Sequence, residues 1–267
     1  MSVNPNREMP ASIAAAWGLR DRPAKGPKPA LSLERIVDAA VAVAASEGIE
    51  AVSMSRVAKE LGSSPMSLYR YVAAKDELLA LTVDAALGDA PEEPAASEPG
   101  WRAGMERWAW RYHDALRRHP WVLRVPISGP PVTPNQIRWL EDGLTALRDT
   151  GLSEPEKLSV ILLVSGYVRN EATLAADIAD AARAAGGEVM PGWADLLLRV
   201  TDAERFPALH QALASEAFAR DDDPDDEFVF GLGRVLDGVE VLIEARATSA
   251  ARAAGASRGS SRRSRGT

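Results

Sequence analysis

The chain has 267 residues, 46% hydrophobic and 26% charged, which suits one large folded domain or two modest ones. It has no cysteine, which excludes a disulfide framework, thiolate catalysis and a cysteine zinc site. The formal net charge is -7, but it is unevenly spread. Residues 1–80 carry 10 Lys+Arg against 9 Asp+Glu, residues 81–245 carry 15 against 29, and residues 246–267 carry six arginines and no acid. Nucleic acids respond to local charge, so the acidic total does not exclude them as partners.

Residues 1–30 read as a flexible N-terminal arm with the basic run Arg20, Arg22, Lys25 and Lys28, within which "ASIAAAWG" can form a short helix. The opening "MSVNPNREMP" lacks an apolar core of signal-peptide length. The longest strongly apolar run, "SVILLVSGYV" at 159–168, is about half a membrane span. With the absence of cysteine, these features predict a cytoplasmic chain with no membrane partner.

From Leu33 the pattern becomes helical: Leu33, Ile36, Val37, Ala40, Val41 and Ala44 share one helix face. Ser32 is placed to cap that helix and Gly48 to end it. Ser53 caps the next, which runs to about Leu61, and Gly62 ends it. Ser64 then Pro65 starts a third, to about Val72, and a fourth runs from Lys75 to about Leu87. "GDAPEEPAASEPG" at 88–100 is a composition break between two units. Helical patterns resume near 101–118, 120–126, 134–149, 154–185, 194–218 with a break at Phe206–Pro207, and 226–250. Residues 251–267 are low in apolar content and predict a disordered basic tail. No strand alternation persists, so the predicted fold is all-α.

Two short helices around a tight glycine turn, at about 54–74, make a helix-turn-helix, whose second helix lies in the DNA major groove. Val57, Leu61, Leu68 and Val72 are placed to face inward, and small Ala58 lets the helices cross closely. The polar face is Ser55, Arg56, Ser64, Ser67, Tyr69, Arg70, Tyr71 and Lys75. Between Ser53 and Lys75 only Glu60 is acidic. An ordinary core hairpin has no use for such a surface.

At "IVDAAVAVAASEGIEAVSMSRVAKELGSSPMSLYRYVAAKDELL" the chain resembles the TetR (tetracycline-repressor-like) family of bacterial transcription regulators. The resemblance covers residues 31–90, the family's four-helix DNA-binding module. It implies that Ser55, Arg56, Ser64, Pro65, Met66, Ser67, Tyr69, Arg70, Tyr71 and Lys75 form the DNA-contacting set. Ser67 stands where the family often has threonine reaching the groove. Tyr69 matches a phosphate-contacting hydroxyl, and Tyr71 either touches DNA backbone or braces its helix. Lys75 opens the fourth helix, where an ammonium and free N–H groups together favour a phosphate. Met66 suits a thymine methyl, and Arg70 a guanine edge or a phosphate. Ala73-Ala74 replace the usual capping or glycine residue and leave that helix poorly capped. The basic arm either enters the minor groove or is a solvated tail, and the C-terminal arginines either aid solubility or hold nucleic acid non-specifically.

Residues 101–250 more loosely resemble the C-terminal domain of the tetracycline-repressor branch, through His119-Pro120-Trp121, Pro134-Asn135 and the "LRDTGLS" of 147–153. That resemblance implies a larger helical ligand-binding and dimerisation domain. Trp108, Tyr112, His113, Trp139, Tyr167 and Asn170 are candidates to line its cavity, although single aromatics are more often core. The apolar helices at 154–185 and 226–250 are placed to pair in a homodimer. The implied protein is a repressor that leaves a palindromic double-stranded DNA operator when a small hydrophobic effector binds, with no cofactor and no metal.

An enzyme is the competing class. The histidines at 113, 119 and 210 form no metal-binding spacing, and no glycine-rich phosphate loop occurs. Gly231-x-Gly233 lies inside a predicted helix without a preceding strand, and Asp222-Asp223 sits in a solvated loop.

Overall fold

The computed structural model describes residues 9–19, 31–88, 100–186, 192–215 and 225–263, with the side chains of 253–263 left aside. Among the described residues there is no strand. The helices are α1 (Ala11–Ala16), α2 (Leu33–Glu47), α3 (Met54–Glu60), α4 (Pro65–Leu68) and α5 (Lys75–Leu87), then α6 (Trp101–Arg118), α7 (Pro134–Ala146), α8 (Glu154–Ala185), α9 (Trp193–Val200), α10 (Pro207–Leu213) and α11 (Asp226–Arg263). Short 3-10 turns lie at Ile49–Ala51 and Pro120–Arg124.

Local chemistry sets most boundaries. The Ser32 and Ser53 hydroxyls accept the Arg35 and Arg56 N–H groups, each at 3.2 Å, and so cap α2 and α3. Gly62 follows α3 at φ 59°, a left-handed conformation that a side chain resists. The α5 start has no side-chain cap at Ala74. Glu77 compensates by reaching back to accept the Ala73 N–H at 3.2 Å and the Ser12 hydroxyl at 2.5 Å.

The short helix allowed for at "ASIAAAWG" forms as α1, and its Ile13 is buried with Val37 and Leu81. Trp17, just beyond it, donates its indole N–H to the Val132 carbonyl at 2.9 Å. At the other end α11 runs through the expected disordered tail to Arg263. Alanines dominate 250–254, and high helix propensity extends a helix already anchored by packing. The basic run from Arg20 to Lys28, most of the proline break and Asp222-Asp223 lie outside the described residues.

One buried cluster runs from Ile36 on α2 through Leu87, Met105, Leu116 and Val164 to Val239 on α11, so the reader module and the larger unit share a core. The link is polar as well as apolar. Asp84, buried on α5, accepts the Asn135 and Gln136 N–H groups at 3.0 Å each, while the Asn135 amide donates back to the Asp84 carbonyl at 3.1 Å. Thr133, the residue before α7, makes no side-chain cap, so a carboxylate from another helix serves that end.

α8 buries Val160, Ile161, Val164, Val168 and Ala172, and leaves Leu158, Leu162, Leu163, Leu174 and Ile178 exposed. α11 buries Phe228, Leu232, Leu236 and Val239 against it and exposes Val229, Phe230 and Val241. Gly231 is required at their crossing. A Cβ there would stand 2.3 Å from the Tyr167 hydroxyl, which is pinned by donating to the Glu227 and Phe228 carbonyls, both at 3.0 Å.

Gly231→Ala should therefore lower stability by about 1–3 kcal/mol, measured as a shifted urea midpoint. A second expectation concerns acid. Glu156 accepts the Ser153 N–H at 2.9 Å and the Ser153 hydroxyl at 2.7 Å, and also binds Arg246. The Ser153 N–H, then its hydroxyl, then Arg246 hold the Glu156 carboxyl at about 2, below its ordinary 4.5. A carboxyl depressed by folding adds stability above its unfolded value, which is lost as pH falls from 4.5 towards 2. Thermal melts of Glu156→Gln should show a shallower loss than wild type across that window.

Candidate nucleic-acid interface and regulatory unit

The α3–α4 unit stands on Val57, Ala58, Leu68 and Val72, all fully or almost fully buried. α4 itself is a single turn. Beyond Leu68 the chain tightens, with the Tyr71 and Val72 N–H groups both donating to the Leu68 carbonyl at 2.8 and 3.0 Å, so that Val72 still reaches the core. That short turn holds Met66 at 77% exposure and Tyr69 at 48%. Ser55, Ser64, Pro65, Arg70 and Lys75 are exposed too, and Ser67 is half-buried with its hydroxyl 2.9 Å from that of Ser64.

Two residues expected on this surface are paired with neighbouring elements of the protein. Arg56 grips Glu47 on α2, with Nη2 at 2.5 Å, and Glu60 with Nη1 at 2.8 Å. These bonds push the guanidinium above its ordinary range and pull the Glu47 carboxyl down. Arg56 is thus a brace between α2 and α3, because two carboxylates compete for it. Tyr71 resolves the same way: its hydroxyl donates to the Leu31 carbonyl at 2.9 Å and ties the turn to the start of α2.

The six aromatic and polar residues expected around a ligand cavity fall into separate places. Trp108, Tyr112 and Trp139 pack against one another between α6 and α7, with centroids 5.6 to 6.2 Å apart. The Trp108 indole N–H donates to the Trp139 carbonyl at 2.8 Å, and the Arg111 guanidinium lies 5.0 Å over the Trp139 ring. His113 stacks on Phe228 at 4.2 Å, and its Nε2 lies 2.7 Å from Glu171. Tyr167 also stacks on Phe228, at 5.9 Å, and burial then Glu171 raise its hydroxyl's pKa. Asn170 is exposed and away from both groups, because it shares the outward stripe of α8 with Leu162, Leu174 and Ile178. A cleft of about 830 Å³ opens elsewhere, between α2 and α8, and of the six only His113 lines it.

Sequence reading missed Asp84, Trp17 and Glu47. Trp17 and Asp84 act on partners 115 and 51 residues away and Glu47 on one nine residues away, and only Asp84 carried a local signal, a carboxylate within an otherwise apolar stretch. Among the described residues no three His, Asp or Glu side chains are grouped to hold a metal, and no helix is long and apolar enough to cross a membrane.

Comparison with known proteins decides the family. Residues 36–81 match "Bacterial regulatory proteins, tetR family", and residues 93–243, more than half of the chain, match "Tetracyclin repressor-like, C-terminal domain". The chain belongs to the TetR family. It is 39% identical over 239 residues to the HTH-type transcriptional repressor DrrR1 of Streptomyces coeruleorubidus, covering 88% of this chain and 87% of that one. The class D tetracycline repressor of Escherichia coli is 26% identical over 216 residues, 80% of this chain and 92% of that one. Among solved structures, ActR of Streptomyces coelicolor in complex with actinorhodin superimposes with a TM-score of 0.64 at 27% identity, covering 82% of this chain and 99% of ActR. Apo ActR matches with a TM-score of 0.62 at 29% identity, covering 85% of this chain and all of that one (100%). This TetR-family member is thus a DNA-binding transcriptional regulator with a helix-turn-helix module followed by a larger helical domain.

The two tyrosines of its turn separate bracing from surface. Tyr71→Phe should lose the bond to Leu31 and about 1 kcal/mol of stability, whereas Tyr69→Phe should leave the urea midpoint in place.

Proposed function

We propose that the protein is a repressor that binds a palindromic operator as a homodimer and leaves it when a small hydrophobic effector binds. The observation that carries this reading is the exposed surface made by Ser55, Ser64, Pro65, Met66, Tyr69, Arg70 and Lys75, with half-buried Ser67 among them. Met66 offers an apolar tip for a thymine methyl, Tyr69 a hydroxyl for phosphate, and Arg70 a fork for a guanine edge. Lys75 brings its ammonium to the start of α5, where backbone N–H groups already favour an anion. Arg56 and Tyr71 act behind this surface by holding it in shape.

The exposed apolar residues of α8 and α11 supply a self-complementary patch, and a two-fold axis through it pairs two reader modules with two half-sites. The relationship to a protein named as a transcriptional repressor supports repression, and ActR's complex with actinorhodin supports a small-molecule effector. Release needs only that effector bind the DNA-incompetent arrangement more tightly. The site of action is the cytoplasm, and the role is regulation rather than catalysis.

Gel shifts on the protein's own upstream region test this. A dimer should retard a palindromic duplex selectively, and equal affinity for unrelated duplexes would overturn the proposal. Lys75→Ala should weaken binding across sequences and reduce the salt slope by about one, with melting unchanged.

A further inference from the structure

α1 precedes the four helices of the reader module and is not needed to build a helix-turn-helix. It is nevertheless held at both ends. The Ser12 hydroxyl, almost fully buried, donates to Glu77 at 2.5 Å near the start of α5. Beside it Ile13 packs on Leu81 of α5 and Val37 of α2. Trp17 then reaches out of the module and donates its indole N–H to the Val132 carbonyl at 2.9 Å, two residues before α7. Gly18, at φ 68°, ends the helix directly after Trp17, and the Leu19 N–H folds back onto the Ala14 carbonyl at 3.0 Å. Trp17 thus stands at the closed end of a packed helix.

On α5 these contacts fall on one stripe. Glu77, Leu81 and Asp84 are spaced i, i+4, i+7 and share a face. The first two hold α1, and the third holds the Asn135 and Gln136 N–H groups of α7 at 3.0 Å each. α1 therefore follows α5 from its start towards the join, and meets the larger unit beside the place where Asp84 already meets it.

Two attachments do what one cannot. A module held at a single point rotates about it, and a second point to one side removes most of that freedom. Asp84 is buried, whereas Trp17 is 39% exposed, so its bond adds little to stability. What it supplies is orientation. A palindromic duplex presents its half-sites at a fixed spacing and angle. A reader module already held in the fitting orientation loses less freedom on binding.

We propose that α1 is a strap across the join and that Trp17 is a positioning residue for DNA binding. Through Val132 it holds α5, and with it the reader surface, in the arrangement that fits two half-sites, without touching DNA itself. The proposal rests on the reading of the protein as a dimeric, operator-binding repressor.

Trp17→Phe keeps an aromatic ring on α1 and removes the N–H. Ile36→Val trims the larger core rather than the cluster around Ile13, and serves as the control for a small loss of stability. Hydrogen exchange of the full-length protein, followed by mass spectrometry, reads the join. Trp17→Phe should speed exchange of the Asn135 and Gln136 amides several-fold, and Ile36→Val should leave them as in wild type. In gel shifts on the protein's own upstream region, Trp17→Phe should weaken binding about three- to tenfold, because a smaller fraction of the protein holds the fitting arrangement. The slope against salt should stay as in wild type, because no phosphate contact is lost. Unchanged exchange at the start of α7, or unchanged or tighter operator binding, overturns the proposal. A flatter salt slope also overturns it, since α1 would then be meeting DNA directly. Operator binding by the wild-type protein tests the repressor reading separately: its absence would defeat that reading, and the exchange result would still decide whether the strap holds the join.

Discussion

Asp84 sits on α5, the helix that begins beside the exposed α4 turn, and its carboxylate ends in the larger unit. A buried carboxylate without partners costs several kcal/mol. This one is stabilised by two N–H groups at the start of α7, where the aligned peptide dipoles also favour negative charge. The Asn135 amide closes the pair from the other side. The bond is directional, so it sets the angle of α5 relative to α7 in a way that apolar packing alone would not. Trp17 reaches the same neighbourhood, at Val132, which places α1 across the join as well. The orientation of the reader module therefore depends on a few groups clustered between Val132 and Gln136.

The surface proposed to meet DNA follows from a division of labour within one short stretch. Leu68 and Val72 must both be buried, and the chain between them tightens to allow it. Tyr69 and Arg70 are then forced outward, and Tyr71 is turned back towards α2. Arg56, one turn into α3, lies within reach of Glu47 and Glu60 and is spent on them. Charge near a nucleic-acid surface does not by itself identify a contact residue, because nearby carboxylates compete for the same guanidinium.

The regulatory unit shows why aromatic residues are poor guides to a cavity. Trp108, Tyr112 and Trp139 fill the space between α6 and α7, and Tyr167 with His113 encloses Phe228. Large rings close space. The open cleft is lined by six alanines of α2 and α8 together with Trp121, His113 and charged side chains. Alanine patterns carried no such signal in the sequence, where they read as good helix formers and nothing more.

What the sequence determined by itself was everything set within a few residues. Between Leu33 and Leu87 the helix starts at Ser32, Ser53 and Pro65 and the ends at Gly48 and Gly62 follow the sequence, because caps and left-handed turns are local chemistry, whereas α4 stops at Leu68, short of the expected Val72. The reader module was legible for that reason, together with the family motif it carries. The tertiary structure alone decided which polar groups were available and which were committed. Glu47 and Arg56 are nine residues apart, Leu31 and Tyr71 forty, and Asp84 and Asn135 fifty-one. No periodicity encodes such pairs. It also decided that the N-terminal arm includes a packed helix and that the last helix extends to Arg263, since burial of Ile13 and anchoring of α11 come from partners distant in sequence. The gap between α2 and α8 belongs to the same class: it exists only because two alanine faces, separately unremarkable, are held apart by the elements around them.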